Sequence, residues 1–224
     1  MTRGEQDRHP REPEGVGAGQ FERRERIAPI RRPSAQLTRD DIVDGVRALA
    51  TELRRSGHAA RLQIVGGAAI ALTVNSLRHT TRDVDAVLTP VAAVDAAAAT
   101  VADRFGWPHD WVNDDAAQFV PSGFGRRAEW STLHKDDTVT IEVASIETLL
   151  AMKLHAAQRR GARESADLID LLPLAGLATV DDAEALYGEF YPGDEFTERT
   201  ARLVRGILDA GAPAPEAPPA PDFS

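Results

Sequence analysis

Gly66 and Gly67 stand where an apolar, strand-like run (Leu62, Gln63, Ile64, Val65) meets a helix-prone run (Ala68 to Leu72). This junction constrains the fold more than any other feature of the chain. Glycines there let the backbone approach a ligand closely, and the first turn of a helix offers unpaired N–H groups to an anion. A tight turn that binds nothing is the alternative. The pattern is neither G-x-G-x-x-G nor a Walker loop, so neither a dinucleotide fold nor a P-loop is supported.

One helix later the sequence reads Asp83-Val84-Asp85-Ala86-Val87-Leu88-Thr89, an alternating β-branched strand. Asp83 and Asp85, at i and i+2, project to one face, with Val84 and Val87 expected on the core side. Neighbouring carboxylates repel and resist desolvation, and a divalent cation removes that conflict. Mg²⁺ suits one or two protein carboxylates completed by water and phosphate oxygens. The alternative is a solvated strand edge with two ordinary acids. The Gly-Gly turn followed by Asp-x-Asp puts phosphate donors and metal ligands at one end of a sheet.

Other residues can join them. Thr80 and Thr81 offer hydroxyls to a phosphate and Arg78 offers a positive charge, whereas Arg82 reads as a loop residue. Glu142, on a strand opposite Ile141 and Val143, is a candidate third carboxylate or an exposed strand residue. Leu149, Met152, Lys153 and Ala156 share one helical stripe. A lysine on an apolar stripe either snorkels to water or meets an anion. Asp167 can pair with Lys153 or with Arg163. His134 and His155 fit no metal-ligand spacing and read as ordinary, and Trp107, Trp111 and Trp130 read as core or loop anchors.

Along the chain, residues 1 to 36 are rich in Arg, Glu, Gly and Pro and read as a disordered tail. Residues 37–144 read as the core and 145–210 as a helical C-terminal part. The Pro/Ala-rich segment 211–224 reads as extended and unpacked. Thr38 is an N-cap for a first helix that Gly57 can end. A hairpin is expected around Lys135, Asp136 and Asp137, with later helices beginning near Ser145, Glu164, Asp181 and Asp194. The expected class is α+β: a small mixed β-sheet covered by helices.

The chain has no cysteine, which excludes disulfides and thiolate metal sites. It has no apolar run of the ~20 residues a membrane span needs. Its N-terminus lacks the apolar centre of a secretory signal, so a cytoplasmic protein with no membrane partner is expected. The net charge of −9 argues against broad, nonspecific nucleic-acid binding but leaves room for a local patch such as Arg126–Arg127 or Arg159–Arg160–Arg163. Lys135 and Lys153 are the only lysines in an arginine-rich chain, so each carries more weight than an arginine.

IVGGAAIAL followed by RHTTRDVDAVL resembles the Gly-Gly plus Asp-x-Asp signature of the nucleotidyltransferase superfamily, the polymerase-beta-like fold. WVNDDAAQFVP, IEVASIETLLAMKLHAAQRR and RESADLIDL resemble nucleotidyltransferase-like proteins related to the AbiEii/MenT toxin group. The resemblance spans about residues 40 to 208. It implies Mg²⁺ on Asp83 and Asp85, and a triphosphate at the Gly66–Gly67 turn. It also implies nucleotide contact from Lys153, support from Asp167 and, less securely, a role for Glu142. Ala68 stands where superfamily members often carry serine, so one phosphate-binding hydroxyl is missing.

The implied activity is transfer of an NMP from an NTP to a hydroxyl acceptor, with RNA or a tRNA end as acceptor in toxin-like relatives. Two other readings fit the same residues. One is a non-catalytic nucleotide-binding module or toxin–antitoxin partner that docks an antitoxin protein. The other is transfer to a small molecule such as an aminoglycoside.

Overall fold

Thr38 caps the first helix as its sequence demands. Its hydroxyl accepts from the Asp41 amide at 3.2 Å while the Asp41 carboxylate accepts from the Thr38 amide at 3.0 Å. The helix, α1 (Arg39–Ser56), ends at Gly57 in the left-handed conformation. The computed structural model describes residues 36–77, 80–160 and 164–223, all within one unit, Arg31–Ser224. The tail expected to be disordered thus lies, up to residue 35, outside the described residues.

The elements that follow are β1 (Ala60–Ile64), α2 (Gly66–Thr73), β2 (Val84–Thr89), α3 (Val91–Phe105) and β3 (Val112–Asn113). A short 3-10 turn (Ala117–Phe119) precedes the hairpin β4 (Trp130–Lys135) and β5 (Val139–Ala144). Four helices complete the fold: α4 (Ile146–Arg160), α5 (Ser165–Leu174), α6 (Val180–Phe190) and α7 (Glu198–Ala210). The strands form one mixed sheet in the order β3-β2-β1-β5-β4. β1 runs antiparallel to β2 and parallel to β5, β4 is antiparallel to β5, and β3 is parallel to β2. The expected mixed sheet covered by helices is therefore observed. Among the described residues no helix is long and apolar enough to cross a membrane.

Period-two alternation gives the sheet two unlike faces. Leu62, Ile64, Val84, Ala86, Leu88, Val139, Ile141 and Val143 are buried on one of them. α1, α2 and α3 lie against these strands. Gln63, Asp85, Val87 and Glu142 point the other way and are only partly buried. Val87 thus shares the acid face rather than the core face expected for it, because 83, 85 and 87 have the same parity. The hairpin turn forms where it was expected: one Asp136 carboxylate oxygen accepts from the Thr138 and Val139 amides, both at 2.7 Å. α7 begins at Glu198 rather than near Asp194, because Thr197 supplies the cap.

The C-terminal segment is extended but it is not unpacked. Arg39, Arg47 and Arg54, about two turns apart along one face of α1, donate to the carbonyls of Pro219, Asp222 and Phe223. A proline-rich strand suits this arrangement, since it lacks many N–H donors but keeps every carbonyl acceptor. Phe223 closes the strap and is buried in the core at 1 % exposure. Composition argued for disorder by counting large apolar side chains, and one anchor with backbone acceptors suffices. Phe223→Ala should cost about 3 kcal/mol of stability in urea unfolding. A loss below ~0.5 kcal/mol, the range of an ordinary surface substitution, would mean that the strap is not anchored there.

Candidate active site at the glycine turn

The pairing of β1 with β2 builds the site. Ile64 lies opposite Ala86, and the Val65 amide donates to the Asp85 carbonyl at 2.9 Å. The antiparallel register therefore carries the glycine turn that ends β1 to the strand start that bears the acids. Gly66 has φ +65, and a Cβ added to it would lie 2.9 Å from Asp85 Oδ2. Glycine is required twice at this position, by its backbone angle and by the carboxylate against it. No side chain caps the first turn of α2, so its leading N–H groups have no side-chain acceptor.

Gly66, Asp83 and Asp85 line one cavity of about 410 Å³. Its opposite wall is α4, which contributes Leu149, Met152, Lys153, His155, Ala156 and Arg159. The stripe singled out in the sequence is this wall. The segment after β3 adds Asp115, Ala116 and Phe119, and Arg82 and Glu164 complete the lining. Four carboxylates (Asp83, Asp85, Asp115, Glu164) face three cations (Arg82, Lys153, Arg159). A polyphosphate would meet excess negative charge there unless a metal cation came with it. Burial raises the Asp83 carboxyl above its ordinary value, against the pull of Arg82 and an Asn113 hydrogen bond. Asp110 and Asp115 push it further up.

Both observations suit a divalent cation: a carboxylate that binds its proton too tightly, and a glycine that leaves room beside the other carboxylate. Among the described residues no group of three or more His, Asp or Glu side chains is set to hold a metal. Mg²⁺ takes one or two carboxylates and fills its remaining positions with water and phosphate oxygens, so the aspartate pair fits it.

Of the other expected site residues, Lys153 does meet anions. Its Nζ lies 3.0 Å from Glu164 Oε2 and 2.7 Å from Asp167 Oδ2, both acids being less than a tenth exposed. Asp167 is thus held by Lys153. Glu142 is drawn elsewhere. It accepts from Gln63 Nε2 at 2.9 Å and sits two strands from β2, a span of about 10 Å at ordinary strand spacing. Glu142 does not line the cavity, and neither does Thr81, whose backbone pairs with Leu37. Thr80 hydrogen-bonds Gln36. Gly67 lies buried in the first turn of α2. Arg78 lies outside the described residues.

Sequence reasoning passed over Asp115, Phe119, His155, Arg159 and Glu164 as site residues. The signal for two of them was present: continuing the α4 stripe by one turn reaches His155 and Arg159. For Asp115 and Phe119 there was none, because a two-residue strand brings their loop to β2.

Comparison with family models, with curated proteins and with solved structures finds no match. The reading of the site therefore rests on its own geometry.

Gly66→Ala should cost at least ~1 kcal/mol for the left-handed angle alone, and should displace Asp85. The control Gly188→Ala, in an exposed helical position with open space around it, should be neutral or gain up to ~1 kcal/mol. Equal unfolding midpoints for the two variants would remove the case for a glycine-specific turn. Asp83 supplies a second test. Its folded value lies above the unfolded one, so its contribution to stability is present at low pH and lost as pH rises through the folded value. Metal-free Asp83→Asn should be more stable than wild type at pH 7, with the advantage shrinking toward pH 4. Urea midpoints measured across that range with a chelator present check this, and a less stable variant at pH 7 contradicts it.

Proposed function

We propose that the chain is a Mg²⁺-dependent nucleotidyltransferase of the polymerase-beta-like fold, transferring an NMP from an NTP to a hydroxyl acceptor. One observation carries the reading: Gly66 packs directly against Asp85 in a cavity that also holds Asp83 and opens on α4. Asp83 and Asp85 would hold Mg²⁺, which when bound supplies charge neutralisation for the triphosphate and its leaving pyrophosphate. The uncapped first turn of α2 donates N–H groups to phosphate oxygens. Arg82 and Arg159 form no salt bridge among the described residues, and they supply positive charge to the nucleotide. Lys153, bound by Glu164 and Asp167, acts mainly to hold Glu164 at the cavity wall. The resemblance to AbiEii/MenT-type proteins supports RNA, including a tRNA end, as acceptor.

A second reading is a nucleotide-binding module without turnover, for example the partner of an antitoxin protein. Two observations favour it: the charge of Lys153 is already matched by two acids, and Ala68 brings no hydroxyl to the turn.

Incubating the pure chain with labelled NTPs, Mg²⁺ and total RNA should yield labelled RNA. Asp83→Asn and Asp85→Asn should each lower the rate on the order of 100-fold or more. Calorimetry separates the two readings. Mg²⁺-dependent NTP binding without product supports the module, and absence of NTP binding overturns both.

A further inference from the structure

His155 lies on the cavity wall with one ring nitrogen engaged and the other not. Its ring stacks on Tyr191, centroids 4.5 Å apart, with Phe119 and Tyr187 at 6.1 and 6.3 Å. Nδ1 is 3.1 Å from the Tyr187 hydroxyl, which lies 3.3 Å from Asp194 Oδ2. A carboxylate only accepts, so the phenol hydrogen points to Asp194 and the phenol oxygen accepts from Nδ1–H. The chain Asp194–Tyr187–His155 thus fixes the neutral ring as the Nδ1–H tautomer and leaves the lone pair on Nε2. Nε2 has no hydrogen-bond partner among the described residues and is not among their buried unpartnered atoms, so it is accessible. The open space that the ring borders is the cavity.

The acids expected to receive the acceptor's proton are occupied elsewhere, Glu142 by Gln63 and Asp167 by Lys153. Burial lowers the basicity of His155 and Arg159 adds to this, against the pull of Asp194, which keeps the ring neutral near pH 7. The titratable groups facing it are Arg159 on its own helix, Tyr187 and Tyr191 at α6, Asp194 beyond them, and Asp115 across the cavity.

We propose that His155 is the general base of the transfer, its Nε2 taking the proton of the acceptor hydroxyl. As that O–H bond breaks, the acceptor oxygen forms its bond to the α-phosphorus. The bond from the α-phosphorus to the bridging oxygen breaks, and the electron pair leaves with pyrophosphate. Asp194, through Tyr187, stabilises the resulting imidazolium, which later returns its proton to water. This assignment rests on the nucleotidyl-transfer reading.

Three measurements on the full chain test it. Calorimetry with Mg²⁺ and NTP should give the same affinity, within about threefold, for wild type and His155→Gln. The pH–rate profile of wild type should fall on its acid side. His155→Gln should lose about 100-fold or more in kcat and lose that acid limb. Nitrogen NMR of wild type should show the Nδ1–H tautomer, and Tyr187→Phe should shift it toward Nε2–H and lower kcat. The assignment is overturned if His155→Gln binds NTP yet keeps kcat and the acid limb. It is equally overturned if the wild-type ring is the Nε2–H tautomer, or if Asp115→Asn removes the limb instead. Absence of NTP binding in wild type is a separate result, which refutes nucleotidyl transfer and this base together.

Discussion

The antiparallel register of β1 on β2 is the constraint on which the rest of the structure depends. With Ile64 opposite Ala86, the chain leaving β1 arrives beside the chain entering β2. Gly66 then lies in contact with Asp85, and only a residue without Cβ fits there. A slip of one residue would turn Asp85 into the apolar layer beneath α1, α2 and α3 and bring Ala86 to the turn. The buried face of the sheet prevents that slip, because it would expose Ile64, Ala86 and Leu88 and bury a carboxylate. Core packing and site geometry are therefore one specification.

Electrostatics gives the cavity its character. Three of its acids, Asp83, Asp85 and Asp115, come from the β2–β3 side and a fourth, Glu164, is tethered by Lys153 on α4. Such a cavity is poor ground for a bare polyphosphate and good ground for a metal-bound one. Lys153 and Asp167 illustrate how a paired lysine differs from a free one. Two largely buried acids against one ammonium form a rigid joint between α4 and α5, and removing the cation would leave two desolvated carboxylates unpaired. The aromatic cluster of Phe119, His155, Tyr187 and Tyr191 plays the corresponding structural part at the other end of the α4 wall.

Sequence alone determined a good deal. Local rules sufficed for the capped helix at Thr38, the Asp136 hairpin, the glycine turn and the same-face pair Asp83 and Asp85, because each depends on residues within four positions of one another. The α4 stripe was legible for the same reason. Tertiary structure alone decided which of these features meet. Glu142 had the parity of a site residue, but its partner is Gln63, and only strand order sets that distance. Asp115 and Phe119 reach the cavity through a strand two residues long, too short to leave a periodic signal. Phe223 anchors a segment whose composition argued against order, because arginines up to 180 positions earlier in the chain accept its carbonyls as partners. Periodicity reports the face on which a side chain lies. What that face meets depends on pairings between residues far apart in sequence, and no local pattern records them.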